Sequence, residues 1–307
     1  MLTESADRGL LHMVINFLTP CLILDRVLPN NIFADSRNLI YPPLLGYGTI
    51  AAGIAVAYAV GWLPSRLTAL DTPKKVGTFA ACVGLLNYGF VPIPLVQLLF
   101  GDNDPTMSVL FVQNLGVEFA LWTVGLSMIQ GKISRNSWKH AINGPTVAIL
   151  IAIPLNLVLH NGIIPKQVID GLQHLTFVKE AVHLLGLTAI PMSMLLIGAT
   201  ISDNFRLARY RIHFWNAAKI SFWSCLIRIL ILPVFGLCIA VYLPCSIELK
   251  RVLVLHSAMS SAIFPIVMTK HYGGDQETAL DAVLSNSLIS IISVPVWIAV
   301  GLKLING

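Results

Sequence analysis

"NYGFVPIPLV", residues 87–96, is the stretch on which the fold turns, because it sets Gly89, Pro92 and Pro94 inside an apolar run that extends over about 76–100. A proline inside a helix removes a backbone hydrogen bond, and in lipid the freed carbonyls and amides must be met by protein, water or a ligand. That the run is meant for lipid follows from its surroundings. The 307 residues are 56% hydrophobic and only 11% charged, with mean hydropathy +0.77. Soluble domains hold roughly 45–50% apolar and 25% charged residues. The chain therefore reads as an all-α, polytopic membrane protein.

Outward from this run, apolar segments fall at about 10–30, 39–63, 76–100, 107–130, 145–163, 181–201, 216–243, 251–271 and 279–304. Nine segments joined by short loops leave no room for a separate soluble domain. Among the connections, only 165–180, "PKQVIDGLQHLTFVKE", is long enough for an amphipathic surface segment. The net charge of +5 is spread over short loops and not gathered into a nucleic-acid-binding block. Cys21, Cys82, Cys225, Cys238 and Cys245 have no metal-ligand spacing, and most lie in apolar runs as small packing residues. The opening "MLTESADRGL" is polar and acidic, unlike a cleavable signal.

Loop charge sets an expected orientation. Arg66, Lys74, Lys75, Lys132, Arg135, Lys139, Arg206, Arg209 and Arg211 all fall on one face. Arg37, Lys166, Lys179, Lys250 and Arg251 are spread over the connections of the other. The first face is expected to be cytoplasmic, with the amino terminus inside and the carboxyl terminus outside.

The two halves echo each other. In "VPIPLVQLLFGD" (91–102) and "FPIVMTKHYGGD" (264–275), Pro92 and Pro265 each stand nine residues before a glycine, Gly101 and Gly274, that is followed by aspartate. Pro20 and Pro191 lie 171 residues apart, close to the 173 between Pro92 and Pro265, and Asn114 and Asn286 follow Asp102 and Asp275 by twelve and eleven. A shared register across several positions reads as a repeat, here 1–142 and 143–307 within one membrane domain. A unit of five spans would insert its second copy inverted, the design of many secondary transporters, in which matched broken helices mark a central site. The first copy is then one helix short, as a late start or a nine-span variant would make it.

These residues resemble the auxin efflux carrier family over nearly the whole chain. "NYGFVPIPLVQLLFG" is similar to a family motif through Asn87, Pro94 and Gly101, whereas the echo selects Pro92, so the proline at the crossing is open. "IFPIVMTKHYG" is similar to the segment carrying the second crossover proline, here Pro265. "PMSMLLIGATIS", from Pro191, and "RILILP", from Arg228, resemble two further signatures. The resemblance implies the ten-helix fold shared with bile-acid symporters, with a scaffold supporting a transport domain that binds carboxylates at crossed helices. It also implies a bacterial permease of the inner membrane.

Substrate contact is expected at Asn87, Gly89, Pro92, Pro94, Ser260, Ser261 and Pro265. Asn87 can both donate to a carboxylate and accept from freed backbone, or it can simply join two helices. Glu118 and Arg228 lie within spans, where ionisable groups are costly. Each is a candidate for coupling or substrate attraction, or the two neutralise each other. His256 titrates near neutral pH and is either a proton carrier or a satisfied polar contact. Asn114 and Asn286 either support the crossing or ligate an ion with oxygen. Asp25 and Arg26, near a helix end, are expected to be solvated or paired. No P-loop, HExxH or GxSxG is present, so neither ATP drive nor hydrolysis is expected. The expected function is a secondary carrier of small organic anions, not an enzyme, with no cofactor or metal. Its partners would be H+ or Na+, the lipid bilayer and a second copy in a homodimer. A non-transporting sensor on the same fold is the alternative.

Overall fold

The computed structural model describes residues 4–102, 104–132, 137–160, 176–208 and 214–306. These residues are almost wholly helical. We number the helices α1 (4–27), α2 (Arg37–Trp62), α3 (Pro73–Gly84), α4 (Pro92–Phe100), α5 (Thr106–Gln130), α6 (Gly144–His160), α7 (Thr176–Ala208), α8 (214–242), α9 (Ile247–Ala258), α10 (Phe264–Tyr272) and α11 (Gln276–Asn306). Most of the 165–180 connection lies outside the described residues, as do Lys166, Arg135, Arg209 and Arg211.

The protein is a polytopic membrane protein. By length and composition, five described helices can cross a bilayer: α1 from Gly9, α2, α5, α8 from Trp215, and α11. The apolar runs 76–100 and 251–271 are not single helices: each is a pair of short ones, α3 with α4 and α9 with α10. The prolines stand elsewhere than expected. Pro92 is the first residue of α4 with Pro94 in the same turn, and Pro265 is the second residue of α10. In a first turn the missing N–H is no loss and the fixed φ favours helix, so these prolines start half-helices and the interruption lies before them. Glycines stop them: α4 ends at Gly101 (φ +88°) and α10 at Gly273 (φ +90°), one residue earlier than the echo with Gly274 suggests.

Packing divides the helices into two sets. α1 lies against α6 and α7, while α2 packs on α3 and α5, and α8 on α9 and α11. Contacts of α3 with α11 and of α5 with α9 join the last two groups. α5 is the central element, with 67% of its most apolar window buried against 11% for that of α11. Its approach to α2 depends on glycine. A methyl at Gly116 would lie 2.7 Å from the Pro43 carbonyl carbon and 2.8 Å from Tyr47 N. Gly46 faces Gln113 and Val117 in the same seam.

Polar contacts between the two sets are concentrated at the C-terminal end of α1. Arg26 is buried, donates through Nη1 to the Asp102 carbonyl and lies 3.4 Å from the Asp25 carboxylate. Within the first set, His183 Nδ1 is 3.1 Å from Asp25. Ser108 donates to the Arg26 carbonyl at 2.7 Å, and Asn30 donates to Ser108 at 3.0 Å. Asp25 and Arg26 are thus paired, Arg26 buried and Asp25 half-buried. Outside the spans, Lys75 holds the exposed Asp71 carboxyl below its usual range through a 2.8 Å contact.

Candidate functional site

The two interruptions meet. After α3 the chain is non-helical over 85–91, and after α9 over 259–263. These segments pair as a short antiparallel bridge centred on Leu86 and Ser261. Asn87 N donates to the Ser260 carbonyl at 2.9 Å, and Ala262 N donates to the Leu85 carbonyl at 2.8 Å. Each break thereby satisfies part of the other, as unwound backbone in an apolar setting requires. The crossing falls at 85–87 and 260–262, upstream of Pro92, Pro94 and Pro265 alike.

Four half-helix ends converge here. α4 and α10 present amino ends, each equivalent to about half a positive charge, and α3 and α9 present carboxyl ends of opposite sign. The carboxyl end of α9 carries a cation. Arg228 sits in a π-helical turn of α8, 226–231, and donates through Nε to the Met259 carbonyl at 2.8 Å and through Nη2 to the His256 carbonyl at 3.2 Å. The residues that the sequence echo sets opposite Arg228, 55–57 in α2, are the apolar AVA.

Side chains from the flanking helices hold the breaks. Asn114 of α5 donates to the Tyr88 carbonyl at 3.1 Å. Asn286 of α11 donates at 2.8 Å both to Ser261 Oγ, in the second break, and to Ser224 Oγ of α8. The residues paired by the echo thus brace opposite breaks. Their Oδ1 atoms are buried with no donor among the described residues.

Glu118 belongs to the same cluster. It accepts from the Tyr88 hydroxyl at 2.6 Å and from the Trp122 indole at 3.0 Å, with the Asn143 side chain as a third partner. Trp122 packs edge-on against Phe264, the first residue of α10, at 5.7 Å between ring centres. The carboxyl group therefore touches one break and, through one ring, the other. It does not pair with Arg228, whose hydrogen bonds all go to backbone carbonyls. His256 Nδ1 is 2.9 Å from Gln113 Nε2, and its Nε2 is buried with only a loosely aligned approach to the Tyr88 carbonyl.

Several polar groups at the crossing are unspent. The side chains of Asn87 and Ser260 are half-buried and make no hydrogen bond among the described residues. The N–H groups of Ile263 and Phe264, and those of 88–91, also lack partners there. A methyl at Gly89 would meet nothing within 4 Å, so backbone is approachable at that point. Beside the first break a groove of about 530 Å³ runs between Phe90, Pro94 and Leu98 of the α4 side and Ile190 and Met194 of α7. An anion at the crossing would meet donors and positive half-helix ends on one side and an apolar wall on the other.

Asn87, Gly89, Ser260 and Ser261 lie in the two breaks, Pro92, Pro94 and Pro265 in the first turns after them, and Asn114, Glu118, Arg228, His256 and Asn286 contact residues of the breaks, whereas Asp25 and Arg26 lie apart. Sequence reasoning missed Tyr88, Gln113, Trp122, Asn143 and Ser224. Tyr88 and Gln113 adjoin Asn87 and Asn114, but nothing in their spacing distinguishes them; their roles come from helices that approach only in the fold.

The profile of a family described as membrane transport protein matches residues 1–137 and 132–298. No curated protein matches the chain.

Proposed function

Because the chain belongs to the membrane transport protein (auxin efflux carrier) family, we propose that it is a secondary carrier of small organic anions, mono- or dicarboxylates, bound between its two broken helices. The observation that carries this reading is the backbone bridge at Leu86 and Ser261, which holds two half-helix amino ends beside the unspent groups of Asn87 and Ser260. A carboxylate placed there gains favourable potential from both ends without needing a buried lysine or arginine as its direct partner. Pro92, Pro94 and Pro265 keep those ends from winding back into the breaks.

In this reading the chain has nine spans, arranged as the inverted halves 1–142 and 143–307. The lysine- and arginine-rich loops face the cytoplasm across a bacterial inner membrane. Alternating access comes from movement of α2–α5 and α8–α11 against α1, α6 and α7. The concentration of polar contacts between these sets at Arg26, Asn30 and Ser108 supports such a division. Proton coupling would run through Glu118 or His256, sodium coupling through the open Oδ1 atoms of Asn114 and Asn286, and a homodimer would form through the static set.

Flux of labelled malonate and malate into proteoliposomes, with and without imposed pH and sodium gradients, tests the proposal. Saturable flux that responds to one gradient is the expected outcome and names the coupling ion. Binding without flux would identify a sensor instead, and neither binding nor flux would remove carboxylates as substrates.

A further inference from the structure

Arg228 is 3% exposed, and no carboxylate lies within ion-pair distance of it among the described residues. Its two hydrogen bonds use Nε and Nη2 and leave Nη1 over. The end of α9 balances about half of its charge. Leaving the remainder unmatched in a low dielectric is costly, since an uncompensated buried charge is among the most destabilising features a protein can hold.

Arg228 lines a cavity of about 30 Å³ whose wall also includes Thr49, Gln113, His256 and Ser257, completed by apolar residues such as Leu86 and Leu253. That is room for one or two waters or for a single halide-sized ion, and too little for an organic carboxylate. The Gln113–His256 pair adds a donor. If the amide donates to Nδ1, His256 carries its proton on Nε2, toward the Tyr88 carbonyl, and the second amide N–H of Gln113 is left over; if the amide is turned over, its whole NH2 group is left over. In either orientation a spare N–H stands in the same wall as the unmatched positive charge. The hydroxyls of Thr49 and Ser257 already give their protons to the carbonyls of Leu45 (2.7 Å) and Val254 (2.8 Å), so the donors to an anion are Arg228 and Gln113.

We propose that this cavity is a binding site for one small inorganic anion, chloride in an ordinary salt medium, which serves as the counter-ion of Arg228 and fixes the carboxyl end of α9 at the crossing. The site is separate from the carboxylate position beside Asn87 and Ser260, and it does not depend on the protein being a carrier. The anion is a structural part of the crossing and is not itself transported.

The test is equilibrium binding of radiolabelled chloride to the detergent-purified full chain, together with melting in chloride and in gluconate at equal ionic strength. We expect saturable binding near one ion per chain and a higher melting temperature in chloride. Arg228→Gln should weaken binding by at least about tenfold, a loss of ~1.4 kcal/mol or more in affinity. Should that variant fail to fold, Thr49→Ile narrows the cavity while leaving both carbonyl contacts of Arg228 intact, and it should likewise abolish the chloride response. Melting that is indifferent to chloride, with no bound label, would mean that the cavity holds water and would overturn the proposal. Chloride binding that survives either variant would place the ion elsewhere and overturn it equally. Malonate flux is read separately, so loss of the chloride site and loss of the carrier reading remain distinguishable.

Discussion

At the scale of single residues, the crossing is held by side chains whose partners are backbone groups or hydroxyls released by the breaks. Asn286 links Ser261 to Ser224, so Asn286→Ala should cost about 1–3 kcal/mol through the buried groups it leaves unmatched. Unfolding in detergent should show this, and Asn114→Ala, which gives up one bond to Tyr88, should cost less. Glu118 bonds to Tyr88 in the first break and reaches Phe264 beside the second through Trp122. Glu118→Gln keeps the shape and can still meet Tyr88 and Trp122, so the fold should persist while the pH dependence of malonate flux changes; an unaltered profile would remove Glu118 from coupling. Much of this was legible in the sequence. An intramembrane glutamate, a lone arginine and two asparagines in register are conspicuous against an apolar background. Their partners were not, because carbonyls of 88, 256 and 259 carry no sequence signal and become acceptors only where a helix stops.

At the scale of elements, the prolines act as starters of half-helices. Pro265→Ala or Pro94→Ala should reduce flux far more than the yield of folded protein, since alanine fits a first helical turn and removes only the barrier to winding back into the break. Equal loss of fold and flux would count against the site. The bridge itself is probed by Ala262→Pro, which deletes the donor to the Leu85 carbonyl and should cost about 1–3 kcal/mol. The seam between α2 and α5 is set by a different property, the absence of side chains. Gly116→Val would drive its Cβ into the Pro43 carbonyl and should destabilise by about 3 kcal/mol, read as a lowered melting temperature. Proline and glycine positions announced that two apolar runs were interrupted. They misplaced the interruption by several residues, because a proline at a helix start and one at a helix break look alike in sequence.

At the scale of the whole molecule, the proposed carrier works by relative movement of two helix sets, and Asn30 and Ser108 face each other across their boundary at 3.0 Å. In a background lacking Cys21, Cys82, Cys225, Cys238 and Cys245, a cysteine pair at 30 and 108 should arrest flux on oxidation and recover it on reduction. Unimpeded flux through the oxidised protein would contradict movement at this boundary. The sequence by itself determined the membrane setting, the all-helical class and the pairing of the two interrupted runs. Composition, hydropathy and repeat register are properties of the chain alone. Only the tertiary structure decided where the crossing lies, that Arg228 serves the end of α9 and not Glu118, and which groups remain open to a ligand. Those outcomes depend on which backbone groups are left unpaired once distant helices have packed, and the linear order of residues does not encode that balance locally.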